Sequence, residues 1–95
     1  MDNSLFDWDD ANVSHIAEHN VFPEEAEGVI LGDPLDIGFD IVDGEERWSY
    51  LGETNERRIL WVTITLRDRR MRVVPAFEPE KYLKVFFLEE KVGSQ

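Results

Sequence analysis

Residues 57–67 read RRILWVTITLR, the longest apolar stretch of a 95-residue chain. Val62, Ile64 and Leu66 fall on one side of an extended chain, Trp61 and Thr63 on the other. Both sides are apolar enough to be covered, which predicts a central β-strand. Downstream, DRR (68–70) turns the chain into MRVVPAF (71–77). Pro75 cannot donate to a hydrogen-bond ladder, so this second strand belongs at an edge or carries a bulge. Upstream, LDIGFDI (35–41) alternates with period two and meets ERWSYLG (46–52) across VDGE (42–45), a hairpin signal. Four antiparallel strands in sequence order make a β-meander.

Helices flank the meander. Before it, SLFDW (4–8) is apolar and predicts a short N-terminal strand. Asp9 suits the N-cap of a helix over DANVSHIAEH (10–19), and Asn20 can take the left-handed conformation that ends it. Val13, Ile16 and Ala17 form the expected inward stripe, with Asn12, His15 and His19 on a neighbouring one. A second helix opens at Pro23, a favourable first position, with the acids of PEEAE at the positive end of its dipole. Pro34 disfavours helix at Asp33 and stops it near GDP, leaving Ala26, Val29 and Ile30 buried. After the meander, Pro79 among acids opens a closing helix over EPEKYLKVFFLEE (78–90). That helix is apolar over almost its whole circumference, so some of Tyr82, Phe86, Phe87 and Leu88 are left for a partner. The order of elements predicts an α+β sandwich of two layers.

A chain this short is one domain, residues 1–95, burying roughly 60–65% of its unfolded surface. Hydrophobic residues make up 42% of it, enough for a core. No apolar run approaches the roughly 20 residues that cross a bilayer, and MDNSLFDWDD lacks the features of a secretory signal. Cysteine is absent, which removes disulfides and thiolate metal sites and fits the cytoplasm. Net charge is −11, unevenly spread. Residues 1–46 hold fourteen acids and no Lys or Arg, whereas residues 47–95 carry +3. Six of the ten basic side chains lie between Arg57 and Arg72. The acidic total argues against general nucleic-acid binding, which depends on releasing counterions to Lys and Arg. The local concentration predicts a cationic patch on an acidic body.

His15, Glu18 and His19 spell H-x-x-E-H, a zinc signature of one protease class. A zinc site needs a third protein ligand, and no carboxylate is singled out by spacing. Two other readings remain: polar residues closing a short helix, or imidazoles placed for proton transfer.

The order of motifs resembles the BrnT family, the toxin half of a bacterial toxin–antitoxin pair. Residues Phe6 to Asp9, Asn12, His15, Ile16, His19, Pro23 to Glu25, Asp33 and Pro34 carry the resemblance in the first half. Arg47, Gly52, Arg58 and Arg72 carry it in the strands, over about residues 5 to 76. It implies a compact fold similar to the RelE-type ribonucleases, RNA cleavage that arrests translation, and a ribbon-helix-helix antitoxin covering the active face. The implied chemistry, attack of a ribose 2′-hydroxyl on the adjacent phosphate, needs a base, an acid and cations, with no metal or other cofactor. Arg47, Arg58 and Arg72 would supply positive charge, and His15 or His19 would move protons. Arg67, Arg69 and Arg70 at the turn read as solvated charges. The chain departs from the family pattern in three places. Phe77 stands where the resemblance places an Arg, Phe22 replaces a Ser or Thr cap, and the last helix is apolar rather than charged. These departures motivate a second expectation: a non-catalytic interaction module on the same fold, forming a homodimer through that helix.

Overall fold

Two tight turns and one wider one build the sheet. Asp43 and Gly44, with φ of 54° and 80°, form the two-residue turn between strand β1 (Leu35–Val42) and strand β2 (Glu45–Glu53). Their positive φ values match the right-handed twist of the flanking strands. Asp68 and Arg69, with φ of 53° and 67°, make the equivalent turn between β3 (Ile59–Arg67) and β4 (Arg70–Phe77). Between β2 and β3 the Thr54 hydroxyl accepts the N–H groups of Glu56 and Arg58, closing a wider turn. The computed structural model describes residues 5–93. It orders the strands β1-β2-β3-β4, all antiparallel. β4 is an edge strand, and its register slips by one residue around Val74–Pro75, because Val62 pairs with Ala76 while Ile64 pairs with Val73. Pro75 therefore satisfies both positions allowed to it.

Helix α1 (Asp10–Ala17) and helix α2 (Pro23–Leu31) pack on one face. Asp9 accepts the Asn12 N–H, and the Asn12 side chain accepts the Asp9 N–H in return. Asn20 ends the turn after α1 with φ of 60°. α2 has only half of such a box: Glu25 accepts the Phe22 N–H at 3.0 Å, but a phenyl ring has no oxygen to offer. The core on this face joins Ile16, Val21, Ala26 and Val29 to Leu60, Val62, Ile64, Val73 and Ala76. Gly52 lies directly under α2, so close that a Cβ there would sit 2.6 Å from Val29 Cγ1.

Helix α3 (Lys81–Gly93) follows the buried Pro79 and packs on the opposite face. Leu51 pairs with Trp61, so both point away from α2, and with Ile59 they meet Phe87 and Leu83 of α3. The architecture is α+β as expected, with α3 adding helical cover to one end of the second face. The short strand expected over residues 4–8 is not formed in its described part. Phe6 makes a single parallel bridge to Met71, because Asp7 donates to the Met71 carbonyl and Met71 donates to the Leu5 carbonyl before the chain turns into α1. The inward stripe of α1 is also rotated from the expected one. Asn12 and Ile16 are buried, Val13 is half-buried and Ala17 is exposed. α1 lies against the edge strand, where Asn12 Nδ2 donates to the Asp7 and Val73 carbonyls. Leu66, expected to face inward, is 58% exposed because the end of β3 projects past the helices.

Candidate active site

Strand alternation decides which arginines can meet. Thr65 pairs with Arg72, and Arg47 lies one step beyond the Trp48–Ile64 pair, so Arg47, Thr65 and Arg72 form a row on the face away from α2. α3 covers only the far end of that face, leaving the row open. His15 comes from the last turn of α1, which flanks the β4 edge. Together Asn12, His15, Glu45, Arg47, Thr65 and Arg72 line a cleft of about 390 Å³. The Thr65 hydroxyl donates to the Glu46 carbonyl at 2.7 Å and is buried, so the floor of the row is fixed. His19 lies just past the end of α1, in the turn rather than in the helix. Its ring is 6.2 Å from that of His15 and 6.1 Å from that of Phe77.

Carboxylates accompany the guanidinium groups. Glu45 holds Arg47 at 2.9 Å. Arg72 reaches over the β4 edge to Asp9 at 3.1 Å and to Asp7 at 3.7 Å, with its Nη1 buried and without a hydrogen-bond partner among the described residues. The Asn12 N–H, accepted at the helix cap, holds the Asp9 carboxyl below its ordinary range against some desolvation, and Arg72 adds to the effect. Arg67 lies 4.0 Å from Asp7, and Arg70 donates to the Phe6 carbonyl. The acidic N-terminal segment thus wraps the edge where the basic side chains gather.

The structure brings His15, Arg47 and Arg72 to one cleft, with His19 adjoining it, and places Arg58 elsewhere. Arg58 precedes β3 and turns toward the helices. Its Nη1 donates to the Asn20 carbonyl at 2.8 Å and to both Glu25 oxygens at 2.9 and 3.0 Å. Glu78 is a further partner at 3.8 Å. Arg58 therefore clamps the corner between α1 and α2. The single patch expected over residues 57–72 divides accordingly. Arg67, Arg70 and Arg72 share the open face by alternation, Arg58 faces the helices, and Arg57 and Arg69 occupy turns. Among the described residues no three His, Cys, Asp or Glu side chains could hold a metal ion, the trio His15, Glu18 and His19 included. Glu45 and Thr65 belong to the cleft without having been singled out in the sequence. Glu45 had a readable signal, since it lies two residues from Arg47 and so on the same side of the strand.

No curated protein matches the chain. A family model described as "Ribonuclease toxin, BrnT, of type II toxin-antitoxin system" matches residues 8–81. The matched span runs from Trp8 to the first residue of α3, taking in both N-terminal helices, the whole sheet and every residue of the cleft. The chain belongs to the BrnT family of ribonuclease toxins of type II toxin–antitoxin systems.

Proposed function

We propose that this toxin cleaves RNA in the open-face cleft, without a metal ion, by attack of a ribose 2′-hydroxyl on the neighbouring phosphate. The 2′-oxygen forms a bond to phosphorus while the bond to the 5′-oxygen breaks. The products are a 2′,3′-cyclic phosphate and a 5′-hydroxyl end. His15 moves the proton lost by the 2′-hydroxyl or gained by the 5′-oxygen, with His19 as the second imidazole. Such transfers contribute roughly 10²–10⁴-fold. Arg47 and Arg72 hold the phosphate and its extra negative charge, a phosphate oxygen taking the place of Glu45 and Asp9 beside them. Arg58 keeps the α1–α2 corner, and with it His15 and His19, in position. The observation that carries this reading is the convergence of His15, Arg47 and Arg72 on one cleft from three separate elements. Expression of the chain alone is expected to arrest growth, and purified protein should cut RNA in the presence of EDTA. Intact RNA at low salt, with folded protein, would remove the reading.

A type II toxin is paired with an antitoxin. We assign this one to the ribbon-helix-helix kind, covering the cleft and blocking RNA, and place the action in the cytoplasm, where translation occurs. No helix among the described residues is long and apolar enough to cross a membrane. The second reading, an interaction module that dimerises through α3, has one specific support. Val85, Leu88 and Val92 are 42%, 48% and 73% exposed along that helix. Val85→Asp with Leu88→Asp should then dissociate a dimer in sedimentation, and a wild-type monomer would remove this reading. Phe87 is unsuitable for such a test, because it is 1% exposed and belongs to the core under α3.

A further inference from the structure

Trp61 and Phe77 pair across β3 and β4 on the same face as the arginine row, at the end where α3 packs. Their rings lie 5.6 Å apart and within 18° of parallel. The polar edge of Trp61 is spent inward: Nε1 donates to the Thr63 hydroxyl at 2.8 Å, which shares a 2.7 Å hydrogen bond with Ser49. The indole packs against the cluster of Leu51, Ile59 and Phe87, which holds it from the α3 side. Both aromatic rings are only half-buried. From Phe77 the run continues through the exposed ring of His19 to His15, in two steps of 6.1 and 6.2 Å, and so reaches the arginine cleft. A stacked pair of aromatic rings is thus joined, through two imidazoles, to a site with guanidinium groups. The ligand that matches both halves is a nucleotide, with its phosphate at Arg47 and Arg72 and its base on the rings.

We propose that Trp61 and Phe77, edged by His19, form a stacking platform for an unpaired nucleobase of the RNA held in the cleft. This rests on the RNA-cleaving reading above. Every base has a π-face, so the platform selects unpaired strands without selecting a base, and a duplex, whose bases are already stacked, is excluded. Loss of one such stack weakens binding about tenfold to a hundredfold.

The test uses a labelled single-stranded oligoribonucleotide with 2′-O-methyl ribose throughout, which lacks the nucleophile and cannot be cut. Its binding to the full chain is measured by anisotropy, beside a series carrying one abasic position each. The wild-type chain should lose about tenfold or more in affinity at one abasic position. Phe77→Leu, which keeps the apolar volume and removes the π-face, should bind the intact strand with that same loss and show no further loss at the abasic position. Phe77→Trp should retain binding. Equal affinity of the wild-type chain for intact and every abasic strand would overturn the platform without using any variant. Retained platform behaviour with no cutting of ordinary RNA would instead remove the cleavage reading alone. No binding of the intact strand at low salt would sink both.

Discussion

Replacing Arg58 by alanine separates the clamp at the helix corner from the chemistry of the cleft. The side chains of Arg58 and Glu25 are only 24% and 19% exposed, and one guanidinium nitrogen serves both Glu25 oxygens and the Asn20 carbonyl. Hydrogen bonds to charged groups contribute about 1.5–3 kcal/mol each when buried. Glu25 keeps the Phe22 N–H after the substitution and can be rehydrated, which lowers the net cost to about 1–2 kcal/mol. In a domain of this size each kcal/mol moves the melting temperature by roughly 4–8 °C, so Arg58→Ala should melt about 5–15 °C below the parent. Glu25→Gln provides the other corner of a double-mutant cycle, in which the two losses should fall short of additivity by about 0.5–2 kcal/mol. Thermal unfolding followed by circular dichroism reads the cost. RNA cleavage, measured well below the variant's midpoint, reads the role. An unchanged melting temperature together with abolished cleavage would refute the reasoning and move Arg58 into the catalytic set.

Three further outcomes test other parts of the structure. Gly52→Ala places a methyl group 2.6 Å from Val29 Cγ1, and Val29 is 1% exposed with nowhere to move. The resulting strain should cost about 1–3 kcal/mol in chemical denaturation, and a variant as stable as the parent would contradict the close approach of α2 to β2. Phe87→Ala should cost about 3–5 kcal/mol by the same measurement, since the ring is 1% exposed and packs with Leu51 and Ile59 between α3 and the sheet. The third outcome concerns acid. The folded-state value of Asp9 lies below the ordinary 3.8, chiefly through the Asn12 N–H and then Arg72. Its contribution is therefore present above the unfolded value and lost as pH falls below 3.8 through the folded one. Asp9→Asn keeps a good cap and removes the titration, so the plot of melting temperature against pH should be flatter below about pH 4. Parallel plots for parent and variant would contradict the assignment.

Much of the fold was written locally. Asp43-Gly44 supplies the left-handed residues a two-residue hairpin demands, Pro75 can sit only at an edge or bulge, and Asn20 tolerates the φ that ends α1. Each of these signals acts over a few residues, and each was obeyed. What escaped the sequence depends on partners far along the chain. Whether Ala17 or Asn12 faces inward is decided by the edge strand α1 leans on, through the Asn12 contact with Val73 sixty-one residues away. Leu66 alternates correctly yet is exposed, because alternation gives a side but not the extent of the cover. The site follows the same division. Period two gives the side of each arginine within its own strand, and the β2–β3 and β3–β4 registers then put Arg47 and Arg72 on one face. The histidine spacing puts both imidazoles at the end of α1. No local pattern announces that Asp9 will hold Arg72, or that Arg58 will turn to Glu25 thirty-three residues back.

The most direct measurement is the rate at which purified chain cuts single-stranded RNA, compared among the parent, His15→Ala and Arg47→Ala. His15 is exposed, and among the described residues Arg47 is joined only to Glu45, so both variants should keep the parent's stability to within about 1 kcal/mol. Each should cut roughly a hundredfold or more slowly, and the parent's products should carry 2′,3′-cyclic phosphates. Undiminished cutting by both variants would place the chemistry outside the cleft and contradict the account.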